Sequence, residues 1–582
     1  MDYNFNYQKW LSQKDEMNEK DYLELVEMGK DESLLRESFS IPLSFGTAGM
    51  RGILSLGINR MNIYTVARAT LGLARFILKK GGEKAGVLIG YDTRNMSYEF
   101  AVVTARVLEE NGVRVYLYEN VRPVPMVSFG VRELKCFAGV MITASHNPKE
   151  YNGYKVYGAD GAQLDLEASD ELTAVINSID DYVGIKESKT DLSKSVILGK
   201  DDYQASEYVT VVGESLDKRF FENIDKLQLS KDAVGKIAKE VKIVYTPLHG
   251  TGYMPVTKTF DRMGINYLTV KEQCIPDGNF PTVITPNPES PEALTMAIQL
   301  AESEGAEVVI GTDPDSDRMG VALADKNGKM TVLSGNQIGV LMLDYVLTRK
   351  KETNTMPQNP AAIKSIVTTA LAKKIAEGAG VKNIDVLTGF KFFGEKIKLW
   401  ESTGEYTYVF GFEESFGYLG GTHARDKDAV SASMLFAEMI CYYKYVGVSA
   451  LDRLEKIYQT YGYYKDYSNS VMYKGLDGMQ QMADIMDKIR ELKPQTLGGV
   501  KVEYISDFRK GLREYCDGRV EKLEQAKTNV VFFGLGDTDW ACVRPSGTEP
   551  KLKYYISIGE PTMEKAVAKC EAVKADIEAM VK

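Results

Sequence analysis

Residues 138–148 read A-G-V-M-I-T-A-S-H-N-P, an apolar, β-branched run that stops on a polar turn closed by proline. That is the pattern of a short strand buried on both faces. It recurs in G-V-L-I-G-Y-D-T-R from Gly86, K-I-V-Y-T-P-L-H-G-T-G from Lys242 and A-E-V-V-I-G-T-D-P-D-S-D from Ala306, each ending in a polar loop. Stretches of helical period lie between, as from Tyr98 to Asn111 and from Pro291 to Gly305. Buried strands alternating with helices predict α/β layers with largely parallel sheets, whose chemistry sits in loops at the strand C-termini.

The 582 residues, at roughly 150 per domain, correspond to about four domains. After Tyr458 the pattern changes. A charged, Met-rich helix from Met479 to Leu492 precedes strands K-V-E-Y-I, N-V-V-F-F-G and K-L-K-Y-Y-I-S-I, and a final amphipathic helix puts Val567, Cys570, Val573 and Ile577 on its apolar face. This predicts a separate α+β domain. Composition also shifts at 180–206 and at 350–360, the latter reading as an exposed loop. The expected domains are 1–205, 206–325, 326–458 and 459–582, with no short repeat of a solenoid.

Composition narrows the function. With 44% hydrophobic and 26% charged residues the chain is of ordinary globular type. Its 71 basic and 81 acidic side chains leave a net charge of −10, which argues against nucleic acid as a partner. An anionic ligand therefore needs locally concentrated positive charge. The start, M-D-Y-N-F-N-Y-Q-K-W, is not a secretory signal, and no apolar run nears the ~18 residues of a membrane span. A cytoplasmic protein without a membrane partner is expected. Six scattered cysteines without a C-x-x-C pair fit reduced, mostly buried thiols.

Four loops carry the chemistry. In T-A-S-H-N-P-K-E-Y-N-G-Y-K, Ser145 stands where a buried strand stops and can serve as a nucleophile if activated. Taken alone, such a serine more often only satisfies backbone groups in a turn. Lys155 adds a proton donor whose pKa could fall on burial. In G-T-D-P-D-S-D-R, Asp313, Asp315 and Asp317 alternate along what reads as an extended loop and can converge on a hard cation such as Mg²⁺. A calcium EF-hand fails, because Arg318 and Ala324 stand where glycine and glutamate are required. In G-F-E-E-S-F-G, Glu413 and Ser415 lie two apart and can hydrogen-bond vicinal hydroxyls, though any tight turn reads similarly. In R-P-S-G-T-E-P-K, Arg544 offers a planar fork of donors, Ser546 and Thr548 offer hydroxyls, and Gly547 frees backbone N–H groups. Together they make an anion nest.

Neither a P-loop nor G-x-S-x-G is present. The three histidines, His146, His249 and His423, lie in loops holding Gly or Pro, which points His146 and His423, and less so His249, toward ligand contact. None forms a pair with metal-ligand spacing.

These four loops in this order, with F-G-T-A-G-M-R-G at 45–52, resemble the α-D-phosphohexomutase superfamily of phosphoglucomutases and phosphomannomutases over essentially the whole chain. The resemblance implies a heart-shaped arrangement of four domains around a central cleft, three α/β and the last α+β. It implies that Ser145 carries the phosphoryl group and that one Mg²⁺ per chain is held by Asp313, Asp315, Asp317 and an oxygen of phosphorylated Ser145. Arg51, His146 and Lys155 would surround the reacting phosphate, Lys155 as general acid/base, with Arg318 beside them. Glu413 and Ser415 match the sugar-hydroxyl ligands, and Arg544, Ser546, Gly547 and Thr548 match the loop gripping the other phosphate. Lys391 and Lys427 would add specificity or phosphate binding.

The implied reaction interconverts glucose 1-phosphate and glucose 6-phosphate through glucose 1,6-bisphosphate, which also primes the enzyme. The last domain would close over the sugar to keep water from the phosphoserine. The opening F-G-T-A-G-M-R-G and long N-terminus are similar to the branch that holds the bacterial α-phosphoglucomutases and the phosphopentomutase-like enzymes, while E-E-S-F-G resembles the glucose and mannose branch more than the phosphoglucosamine branch. Mannose and pentose phosphates are the alternative substrates, and a monomer or homodimer is expected. Phe412 departs from the pattern, since many relatives carry glycine there.

Two rival readings make different predictions. A haloacid-dehalogenase-like phosphatase would release free phosphate, but it wants Thr or Val where Asp317 stands. A silent phosphosugar sensor on the same fold would keep its binding in a Ser145→Ala variant.

Overall fold

The strands Ala138–Ile142, Val87–Tyr91, Val115–Tyr118 and Val209–Val212 run parallel, side by side, at the centre of a seven-stranded sheet. Their residues are almost all buried, as β-branched runs covered by helices on both faces must be. This is the first α/β layer of a computed structural model that describes residues 2–46, 49–193, 202–473, 478–546 and 551–582. The sheet is mixed at its margins, where Tyr151–Gly158 pairs antiparallel with Ala138–Ile142, and Met50–Ile53 with Tyr151–Gly158. Met141 therefore stands opposite Lys155, and Arg51 opposite Gly153.

Two units make up the chain. The first comprises Met1–Leu333, Phe393–Gly404 and Gly417–Tyr445, the second Ser334–Phe392, Glu405–Phe416 and Val446–Lys582. In the first unit the helix Ile63–Lys80 opens on a capping box between Asn62 and Thr65 and stops at Gly81, whose φ of 71° only glycine adopts without strain. A separate cluster around Trp10, Phe39 and Tyr64, with ring pairs edge to face, anchors the three N-terminal helices. The unit's second sheet is ordered Met330–Val332, Met319–Ala324, Val308–Thr312, Lys242–Thr246, Asn266–Thr269. Because Met319–Ala324 returns antiparallel to Val308–Thr312, residues 313–318 form the connection of a hairpin.

The second unit has a parallel set in which Pro360–Ser365 lies between Lys382–Val386 and Thr407–Glu413. Its C-terminal part is an antiparallel sheet with the helices Gly478–Leu492 and Met563–Val581 against it, the α+β domain expected after Tyr458. Two details differ from the sequence reading. The segment 350–360 is not wholly loop, because the helix Gly335–Glu352 carries on through Lys350, Lys351 and Glu352, where cationic residues suit a helix C-terminus. On the last helix Cys570, Val573 and Ile577 are buried, whereas Val567 is 37% exposed and Ala566 takes the inward place. The spacing 566, 570, 573, 577, 581 keeps one face on the core. Of the stretch 180–206, residues 194–201 lie outside the described residues.

Candidate active site

Ser145 is buried, with a φ of 52°, a left-handed conformation that a residue with a Cβ adopts only when its surroundings enforce it. Its N–H donates to Thr143 Oγ1 at 2.8 Å. Its hydroxyl donates to Asp313 Oδ2 at 2.7 Å and lies 3.1 Å from His146 Nδ1. Neighbouring residues usually point apart; the left-handed turn is what brings these two side chains together. Arg51, on the strand Met50–Ile53, donates from Nη1 to Asn147 Oδ1 at 2.9 Å.

The acidic loop is not extended, as its alternating spacing suggests. Ser316, with a φ of 48°, folds it back, and its N–H donates to the Asp313 carbonyl at 2.9 Å. In an extended strand the carboxylates at i and i+2 would stand ~7 Å apart. Here one oxygen from each of Asp313, Asp315 and Asp317 lies within 4.8 Å of the others, and all three residues are buried. Asp313 Oδ1 accepts from the N–H groups of Asp317 and Arg318 at 3.1 and 3.0 Å. Asp315 Oδ2 accepts from Lys155 Nζ at 2.9 Å and Thr143 Oγ1 at 3.2 Å. Asp317 Oδ2 lies 3.2 Å from Lys427 Nζ and 3.5 Å from Lys155 Nζ.

Two buried oxygens of this cluster, Asp315 Oδ1 and Asp317 Oδ1, have no hydrogen-bond partner. Buried carboxylate oxygens left unpaired are costly, and three hard oxygen donors at one point suit a divalent cation. The donor set fits a metal. Burial and then the two neighbouring carboxylates push the Asp313 carboxyl well above its ordinary range. Burial acts the same way on Asp317, but Lys427, Lys155 and Arg318 outweigh it and hold that carboxyl low.

Lys155 departs from the sequence reading. Burial alone would lower its pKa, but Asp315 and Asp317 raise it, so the ammonium stays charged. His146 goes the other way, driven well below its ordinary value by burial and by Arg318 and Arg51, so its imidazole is neutral. Arg318 forms an ion pair with Glu289.

Lys391, Glu413, Ser415, Arg544 and Ser546 belong to the second unit. Glu413 ends the strand Thr407–Glu413, is buried, and accepts from the Gly389 N–H at 2.7 Å. Glu414 accepts from Ser365 and Thr368 hydroxyls at 3.1 and 3.2 Å. Burial and then Glu413 push its carboxyl up to about 7. Ser415 follows, partly buried. Phe412 points the opposite way along the strand, into the core, where its ring lies 2.1 Å from the position a Cβ on Gly339 would take. Lys391 opens the helix Lys391–Thr403, with Nζ 5.0 Å from the Phe392 ring centre. Arg544, next to last in the strand Asp539–Pro545, lies over the Tyr555 ring with its Nε lacking a hydrogen-bond partner, and the Ser546 N–H donates to Lys551 O at 2.7 Å. Gly547 and Thr548 lie outside the described residues.

His249 takes a structural place instead of a ligand-facing one, whereas His423 keeps a buried Nδ1 with no hydrogen-bond partner. Both ring nitrogens of His249 are engaged, by Ile275 O and Thr282 Oγ1, and His423 Nε2 lies 2.7 Å from Asp428 against the Phe220 ring. Lys427 joins the aspartate cluster, with Asp426 at 3.3 Å. Residues of the first unit not singled out from the sequence also belong beside Ser145 and the triad: Thr143, Glu289, and Arg94, which sits under the serine loop. Arg94 was legible as the end of G-Y-D-T-R, a polar loop after a buried strand like the others.

Three family models for phosphoglucomutase/phosphomannomutase α/β/α domains I, II and III match residues 42–183, 218–328 and 334–461. A protein named phosphoglucomutase from Staphylococcus aureus strain N315 is 37% identical over 541 residues, covering 92% of this chain and 93% of its own. Another of that name from Staphylococcus haemolyticus is 37% identical over 534 residues, 91% and 92% of the two chains. Among solved structures, the open form of pp63/parafusin, a phosphoglucomutase from Paramecium, aligns with a TM-score of 0.68 at 19% identity over 92% of this chain and 94% of its own. A phosphoglucomutase/phosphomannomutase family protein from Burkholderia thailandensis aligns at 0.65 and 17% identity over 92% and 95%.

Proposed function

Since the chain belongs to the phosphoglucomutase/phosphomannomutase family, we propose that it interconverts glucose 1-phosphate and glucose 6-phosphate by carrying a phosphoryl group on Ser145. The observation that carries this reading is the Ser145 hydroxyl 2.7 Å from Asp313, inside a buried triad of carboxylates with unpaired oxygens. A serine buried in that setting has little structural reason to be there.

Each half-reaction moves one phosphoryl group. The bond from phosphorus to Ser145 Oγ breaks as a bond to a sugar hydroxyl oxygen forms; Ser145 Oγ takes a proton from the Lys155 ammonium, and the sugar hydroxyl's proton returns to the Lys155 amine. This yields glucose 1,6-bisphosphate, which turns over and returns its other phosphoryl group to Ser145. The same bisphosphate primes the unphosphorylated chain. Phosphoryl transfer is mostly positioning and charge neutralisation. Lys155, held charged by Asp315 and Asp317, serves as the acid that donates to the departing oxygen. His146, neutral and 3.1 Å away, borders that oxygen, while Arg51 and Arg318 add positive charge. Asp313, Asp315, Asp317 and a phosphoserine oxygen would hold Mg²⁺, which would supply charge neutralisation for the phosphoryl oxygens. Glu413 and Ser415 read the sugar hydroxyls, Arg544 with residues 546–548 grips the phosphate that is not reacting, and Lys391 and Lys427 add cationic contacts.

The division at 205, 325 and 458 and a cytoplasmic setting belong to the same reading. Each matched segment starts inside one of the first three divisions, and among the described residues no helix is long and apolar enough to cross a membrane. The test is a coupled assay with glucose, mannose, ribose and glucosamine 1-phosphates and a trace of bisphosphate. Glucose 1-phosphate should give the highest kcat/KM, and Ser145→Ala should lower kcat by several powers of ten. Release of free phosphate without isomerised sugar would overturn the proposal in favour of a phosphatase, and an equally active Ser145→Ala would refute the serine's role.

A further inference from the structure

We infer that Arg94 is the positioning residue that holds Ser145 in its reactive orientation, by anchoring the backbone of residues 145–151 from beneath. The inference rests on the reading of Ser145 as phosphoryl carrier. Arg94 is 3% exposed, and all its terminal nitrogens are spent on backbone carbonyls of that one loop. Nη1 donates to Pro148 O at 2.9 Å and to Tyr151 O at 3.1 Å, while Nη2 donates to Ser145 O and Asn147 O. Nε faces Asp92 Oδ2 at 3.5 Å. Asp92 is itself fixed, its Oδ1 accepting from the Arg94 N–H at 2.9 Å and from Ser97 Oγ at 2.6 Å. The Phe280 ring covers the guanidinium, its centre 5.0 Å from Cζ.

The physical need is plain. A loop that turns through a left-handed serine cannot pair its carbonyls in a sheet ladder, and buried carbonyls without partners are costly. A guanidinium supplies several donors in one rigid plane, so it can fix four carbonyls at once; a lysine ammonium has three donors and no plane. No atom of Arg94 is hydrogen-bonded to Ser145 Oγ, to His146 or to the aspartate triad. Its charge reaches Asp313, Asp315 and His146 through space; Arg94→Lys keeps that charge, so the loss that remains in Arg94→Lys passes through the geometry of the serine.

The prediction separates position from stability. In Arg94→Met, kcat should fall at least 100-fold with KM within about threefold of the parent, because the sugar and phosphate ligands are untouched. Arg94→Lys keeps the charge and most of the volume, guards against loss of the fold, and should restore kcat by less than tenfold over Arg94→Met. Hydrogen exchange gives a readout that does not depend on catalysis. Amides of 145–151 should exchange at least tenfold faster in the Arg94→Lys variant, with those of Val87–Tyr91 and Val115–Tyr118 unchanged. Unchanged loop exchange together with kcat within threefold of the parent in Arg94→Lys would overturn the inference. A parent protein with a protected loop but no mutase activity would instead sink the proposed function and leave the anchoring intact.

Discussion

At the scale of single residues, the site is a balance of charge buried together. Asp313, Asp315 and Asp317 lie within one cluster with Lys155 and Lys427, and removing either sign leaves the other uncompensated. Breaking a buried ion pair from one side costs ~3–5 kcal/mol. Lys155→Met should therefore destabilise the metal-free protein by about that much, read from urea unfolding in EDTA, and a loss below about 1 kcal/mol would show that Lys155 and the triad are not coupled. The sequence revealed which residues carry charge but not what surrounds them. That is why Lys155 reads from its burial as a lysine of lowered pKa, while the structure, by placing two carboxylates beside it, holds it charged. His249 was misleading for the same reason, since a loop position says nothing of the Ile275 carbonyl and Thr282 hydroxyl that occupy its two nitrogens.

At the scale of elements, the loops at strand ends were legible because each follows a buried apolar run whose length and composition fix the strand. What the sequence could not show is the turn within each loop. The left-handed Ser145 and Ser316 break the extended spacing and aim their neighbours at one point, and neither serine has a residue type that announces positive φ. The strand Thr407–Glu413 shows alternation doing its ordinary work, with Phe412 inward against Gly339. Just past its end, Glu414 gives a pH prediction. Its carboxyl is pushed up to about 7 in the folded protein from an ordinary 4.5, so the unfolded chain loses its proton first as pH rises. The stabilisation from the neutral carboxyl is then fully present below about pH 4.5, falls as pH rises, and is spent above about pH 7. Glu414→Gln should flatten the fall in thermal midpoint between those values; an unchanged slope would mean the carboxyl is ionised throughout.

At the scale of the whole molecule, the α/β succession and the separate C-terminal α+β domain follow from strand and helix periods, and the family models cover 42–461 in three segments. The convergence of Ser145 with Asp313 across 168 residues does not follow, because periodicity is local and the pairing of distant loops is set by packing. The proposed role of Arg544 in phosphate binding makes a prediction of its own. Charge-assisted hydrogen bonds are worth ~1.5–3 kcal/mol, so Arg544→Ala should raise KM roughly 10- to 100-fold with kcat lowered less than tenfold. An unchanged KM for glucose 1-phosphate would remove Arg544 from phosphate binding. The central claim is that one hydroxyl is esterified in every cycle, and it is tested most directly by exposing the protein to bisphosphate labelled in its phosphoryl groups and mapping the label by peptide mass spectrometry. The account predicts close to one phosphoryl group per chain on the peptide bearing Ser145, discharged by unlabelled glucose 1-phosphate at least as fast as turnover. Rapid sugar phosphate interconversion with no label on that peptide would contradict it.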